Sequence, residues 1–156
     1  MRWLTGRTLD AAAALPEADF RRDFPIGCGS IHGTLTHLMG AERIWIGALQ
    51  GDATATMASP NEFPTISAIR TAWPLIRGRW DEYLHQLTNA ECNQVVVRVR
   101  DGKEFRQLAR DVLVQLPTHA LYHNAQISFM FRQMGHSLPD SSWIVWRREQ
   151  LAQATS

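Results

Sequence analysis

Cysteine is scarce in this chain: Cys28 and Cys92 are the only two in 156 residues. They stand far apart and form no C-x-x-C pair, so no disulfide is expected. They read as free thiols of a reducing compartment, and the cytoplasm is the expected location. Long hydrophobic runs are missing too. No stretch approaches the roughly 20 apolar residues that cross a bilayer. Arg2 and Arg7 are followed by no apolar segment of signal-peptide length. A surplus of one charge is also lacking, since 16 basic residues face 15 acidic ones. The basic residues are scattered, and Arg21-Arg22 and Arg147-Arg148 are too short to build a nucleic-acid footprint. Neither nucleic acid nor a membrane is expected as a partner.

What is present is an ordinary globular composition, 45% apolar and 20% charged, in a chain long enough to bury a core. A single domain over residues 1–156 is expected. Alanines favour a helix over 3–14, ending before Pro16. Residues 17–29 read as a connection. Ser30 is placed to cap a second helix running to about residue 49, stopped by Gly51-Asp52. Residues 53–64 are polar and small, hence a loop. Ile66, Ile69, Trp73, Ile76, Trp80, Leu84 and Leu87 then repeat every three or four positions, the buried face of a helix over 65–87. Pro74 should kink it without breaking it, because the periodicity stays in phase. The β-branched run at 95–97 and the turn signal Asp101-Gly102 predict a hairpin. A long helix follows over 107–134, with Gly135 as its stop, and a short one over 143–150. The expected fold is all-α: a four-helix bundle with a short β-hairpin before the last long helix and a short C-terminal helix.

The six histidines carry the chemistry. His119 and His123 are four residues apart, so on a helix they lie within about 40° of each other around the axis. They share a row with Val112, Leu116, Ile127 and Met130, a row that must face the core. Two imidazoles in a core stripe need polar partners. One metal ion at the ~2.0–2.1 Å typical of imidazole would satisfy both. Backbone carbonyls or waters would serve as well, and the pair alone leaves that open. His37 is flanked on its own helix by Gly33, Thr34, Gly40 and Ala41, all small. They leave room for close helix approach or for an open pocket. His32, His85 and His136 read as surface or terminal histidines.

The segments around these histidines resemble the DinB-like family of four-helix-bundle metalloproteins over nearly the whole chain. SIHGTLTHLMGAERIW (30–45) is similar to the family's second-helix pattern. RVRDGKEFRQL (98–108) is similar to its hairpin, HALYHNAQI (119–127) to its His-x-x-x-His followed by glutamine, and LPDSSWIVWRRE (138–149) to its closing segment. The resemblance implies that His37, His119 and His123 bind one divalent transition metal: zinc or nickel, with iron as an alternative. It places Gln126 where it could line the substrate pocket or orient a ligand. Two departures stand out. Many relatives have Asn-His where this chain has Thr118-His119, and His-Arg-Gly-Gln where it has His123-Asn124-Ala125-Gln126. Any contact made by that arginine does not carry over. Pro117 also removes a helical donor just before the first histidine of the pair and should bend the helix there.

Three neutral nitrogen ligands would leave an open coordination position, as in catalytic sites. By resemblance, the leading expectation is an S-transferase using a low-molecular-weight thiol such as bacillithiol, mycothiol or glutathione on a small electrophile. A metal-dependent hydrolase is the alternative. Its nearest acid, Glu42, lies about 140° around the helix from His37 and should point away. A non-catalytic metal-binding or interaction bundle is the third reading. Cys28 and Cys92 are not expected as nucleophiles, since neither adjoins a histidine motif in sequence. Trp143 and Trp146 either cap the core or form the surface of a homodimer.

Overall fold

The structure is a computed structural model and describes residues 1–154; the last two residues of the expected domain lie outside the described ones. Four long helices form the body: α1 (Arg2–Ala13), α3 (Ile31–Leu49), α4 (Ile66–Gln86) and α6 (Ala109–Gln133). Two short helices, α2 (Glu17–Arg21) and α5 (Asn89–Cys92), sit in the connections. Strands β1 (Val95–Arg100) and β2 (Lys103–Leu108) precede α6, and α7 (Trp143–Ala154) closes the chain. The fold is thus the expected helical bundle with a hairpin and a C-terminal helix.

Local chemistry sets most of these boundaries. The Ser30 side chain accepts from Gly33 N at 2.9 Å and opens α3. Thr65 does the same for α4 through Ala68 N. Both side chains satisfy amides that the first helical turn leaves free. In the hairpin, Val95 pairs with Leu108 and Arg100 with Lys103. Asp101 and Gly102 both have positive φ, 51° and 72°, the backbone of a tight turn whose twist matches the strands. The hairpin is tied back to the bundle by Val99 N donating to Ala53 O. Buried Val96 packs with Ala48 and Ala109.

The core lies around α3, which packs on α4, α6, α2 and β1. Ile31, Leu35, Met39 and Ile46 from α3 meet Ile69 and Trp73 from α4 and Ile127 and Met130 from α6. Helices α4 and α6 run unbroken through Pro74 and Pro117.

Three expectations change. Residues 17–29 are not all connection: α2 buries Phe20 and closes one end of the core. Helix α6 starts at Ala109 rather than 107, because Gln107 and Leu108 complete the ladder with β1. The apolar row of α4 ends at Trp80, since Leu84 is exposed beyond the helices that cover the rest.

The C-terminal helix buries none of its residues. It is held to α1 by Glu149, which accepts from Trp3 Nε1 at 2.7 Å and from Arg7 at 2.8 Å. Trp143 is 70% exposed and its ring stands 4.4 Å from that of Trp146. The two tryptophans therefore do not cap the core. They line one side of an apolar groove of about 480 Å³ against Trp3, Leu84, Pro117 and Leu121. Among the described residues, no helix is long and apolar enough to cross a membrane.

Candidate metal centre

The seam between α3 and α6 brings three imidazoles to one point. His37 projects from α3, and His119 and His123 project from successive turns of α6. Nε2 of His119 lies 3.0 Å from Nε2 of His37 and 3.0 Å from Nε2 of His123. The three ring centroids are 4.4–5.0 Å apart. A ring nitrogen offers one in-plane proton or one lone pair, not two. His119 Nε2 therefore cannot make a strong hydrogen bond to both neighbours at once.

Protonation is constrained from one side. His123 is buried, and its Nδ1–H donates to Gln126 Oε1 at 2.7 Å. With the proton on Nδ1, the Nε2 lone pair points into the cluster. Burial lowers the pKa of His119 to about 4, reinforced by the charges His123 and His37 would carry. His37 is lowered by burial and then by His123. His123 is lowered by burial, against an opposite pull from Gln126. All three shifts favour neutral rings at neutral pH, and His123 turns its Nε2 lone pair toward the cluster.

Gln126 occupies the position expected to line a pocket or orient a ligand, and its side chain meets His123. It is buried and its oxygen accepts from His123 Nδ1–H, which orients that ring. The small residues beside His37 serve close approach. A Cβ on Gly33 would stand 2.5 Å from Cys28 O, and one on Gly40 2.7 Å from Ala58 N. Both loops press on α3 where only glycine admits them.

Cys28 is the residue that sequence distance concealed. Its Sγ and one ligand atom each from His37 and His123 all lie within 4.8 Å of one another. The readable signal was the flanking pair Gly27 and Gly29, both at positive φ, which turn the chain back over the start of α3.

Glu42, expected to point away from His37, is buried, because α3 is covered on several sides, and shares a narrow crevice with His119, Leu38 and Leu116. Its carboxylate is 3.4 Å from Arg77 Nε. His32 was expected at the surface but is buried between α2 and the loop before α4. There its Nε2–H donates to Phe63 O at 2.7 Å, and Nδ1 lies 3.3 Å from Arg21 Nη1. His85 and His136 are exposed, as expected.

A helical bundle with histidines converging between two of its long helices defines the class of this protein. The profile of the DinB family matches residues 1–149, and the chain belongs to that family. Two solved structures share the fold. One is a DinB-like protein from Bacillus cereus ATCC 10987, 14% identical, with a TM-score of 0.64, covering 90% of this chain and 91% of that one. The other is YfiT from Bacillus subtilis, described as a probable metal-dependent hydrolase with an unusual four-helix bundle topology. It is 15% identical, with a TM-score of 0.65, covering 86% of this chain and 83% of that one. At these identities the likeness is one of fold. No curated protein matches the chain in sequence.

Proposed function

We propose that His37, His119 and His123 hold one divalent transition metal and that the protein is a metal-dependent enzyme acting on a small molecule. The observation that carries this reading is the pair of 3.0 Å contacts between imidazole nitrogens. Nitrogens bound at ~2.0–2.1 Å to a tetrahedral ion stand about 3.3–3.4 Å apart, so a slight outward movement admits one. All-imidazole donors suit zinc, nickel and iron alike. When bound, the ion supplies Lewis acidity that lowers the pKa of a water or thiol at its remaining position.

The residues of this chain favour a thiol as the nucleophile. Three neutral imidazoles leave the charge of the ion undiminished, and Gln126 holds His123 in the tautomer that can donate its lone pair. Hydrolysis by a metal-bound hydroxide still calls for a nearby acid or base to pass a proton to the leaving group. The nearest carboxylate by sequence, Glu42, is paired with Arg77. A low-molecular-weight thiol that has already released its proton to solvent needs no such base. Its sulfur forms the new bond to the electrophile as the leaving group departs with its electron pair. Hydrolysis is the second reading, supported by the description of the YfiT neighbour as a probable metal-dependent hydrolase.

Elemental analysis of the purified protein beside His37→Ala and His119→Ala tests the centre. One metal per chain, absent from both variants, is expected; equal metal in all three would overturn the site. Assays of the loaded protein with chlorodinitrobenzene or fosfomycin plus a thiol, and in parallel with activated esters, separate the two reactions. Ester turnover without thiol conjugation would replace the first reading by the second.

A further inference from the structure

The three-histidine reading leaves a coordination position open, yet the chain brings a fourth donor to the same place. Cys28 is a free, exposed cysteine, but the turn that carries it is fixed. Phe24 N donates to Gly29 O at 2.7 Å and Gly29 N to Ile26 O at 3.2 Å. Gly27 and Gly29 take φ values of 61° and 80°, a region costly for other residues. Gly27 rests on the Gln126 side chain: a Cβ there would lie 2.6 Å from Gln126 Oε1. Cys28 O rests on Gly33 in the first turn of α3. The turn is thus anchored to the residue that orients His123 and to the helix that carries His37, the two histidines its sulfur approaches.

We propose that Cys28 is the fourth ligand of the centre, its thiol releasing a proton to solvent as sulfur binds the ion, so that the resting site is closed and an incoming substrate must displace the chain's own thiolate. The proposal rests on the three-histidine reading and deepens it. On an ion with ~2.3 Å bonds to sulfur and ~2.0–2.1 Å bonds to nitrogen, the two donors stand about 3.6 Å apart. The 4.8 Å within which its sulfur and one ligand atom each of His37 and His123 now lie exceeds that by about 1 Å, a distance small beside the reach of a cysteine side chain, and His119 stands outside that group. A position that accepts the chain's thiolate also suits a small external thiol, as the S-transfer reading requires.

Cobalt(II) titration of the full chain under reducing conditions tests this without recourse to activity. Wild type and Cys92→Ser should show a near-ultraviolet sulfur-to-cobalt charge-transfer band. Cys28→Ser should bind cobalt without that band, about 10- to 100-fold more weakly, at least the loss seen when an outer partner of a ligand is removed. Stoichiometric cobalt with no such band in wild type overturns the role of Cys28 and leaves the three histidines standing. A band that persists in Cys28→Ser also overturns it. No cobalt bound in wild type overturns both readings. Alkylation by iodoacetamide, read by peptide mass, gives an independent measure. Zinc should protect Cys28 and leave Cys92 unprotected, and unchanged alkylation of Cys28 counts against its coordination.

Discussion

The molecule buries imidazole in two places, and the two are built on opposite principles. At the end closed by α2, His32 is satisfied by the protein alone. One nitrogen donates to Phe63 O, the other faces Arg21, and the ring lies 5.0 Å from that of Phe20. Arg21 is itself held by Glu17 and by the Pro64 carbonyl. In the seam between α3 and α6, only His123 has an outside partner. The Nε2 atom of His119 meets those of His37 and His123. A buried polar group left without a good partner costs about 1–3 kcal/mol, so the first arrangement is a strut, and the second is the one that the proposed cation would complete. The distinction lies in the partners, not in the burial of the ring.

The sharpest way to break this comparison is to load the protein with zinc and remove one ring from each place. With free zinc a thousandfold above Kd, binding to the folded state alone adds about 4 kcal/mol of stability. Denaturant titrations should show this increment in wild type and in His32→Ala, and none in His119→Ala. Metal-free His32→Ala should be weaker than wild type by about 2 kcal/mol, through the lost bond to Phe63 and the stranded carbonyl. Metal-free His119→Ala should lose less, because it relieves a crowded pair of contacts. Equal zinc increments in the two variants would erase the difference between the sites.

A smaller effect is expected from the one outside partner in the seam. Gln126→Leu keeps the volume of the side chain but removes the oxygen that holds the Nδ1 proton of His123. Metal affinity should fall by about 10- to 100-fold, read by competition with a chromophoric chelator, while the metal-free stability changes little. Unchanged affinity would mean that the tautomer of His123 is set elsewhere.

How much of this contrast could be read in advance depended on the range of each interaction. The row Val112, Leu116, His119, His123, Ile127 and Met130 is a property of one helix, and its burial followed from spacing, with only His119 left half-buried. The Ser30 cap and the Asp101-Gly102 turn are equally local, and both formed as expected. Nothing local marks His32 for burial, because its partner Phe63 is 31 residues away on a loop without periodicity. Cys28 was discounted because it adjoins no histidine in sequence, yet the turn at Gly27 and Gly29 carries it to His37 and His123. For the tryptophans of α7 the sequence left a core cap and a dimer surface both open, and it is the tie of α7 to α1 through Glu149, with none of its residues buried, that removes the first.

The slightest of the expected differences lies in acid. Burial depresses His119 from 6.5 to about 4, and lowers His37 and His123 as well. In the unfolded chain these rings titrate near their ordinary value of about 6.5. Between pH 6.5 and 4 the unfolded state therefore binds more protons than the folded one, and stability rises with pH across that interval. The contribution is whole above pH 6.5 and drains away as the solution is acidified toward pH 4. Removing His119 takes away the most depressed ring and the repulsion it exerts on its neighbours. Metal-free His119→Gln should accordingly take up about one proton fewer on unfolding near pH 5, seen as a shallower dependence of denaturation midpoint on pH. His32→Gln is the control, because its ring is satisfied by the protein and lies outside the cluster. A flattening as large in His32→Gln as in His119→Gln would show that acid sensitivity is spread through the bundle rather than concentrated where imidazole meets imidazole.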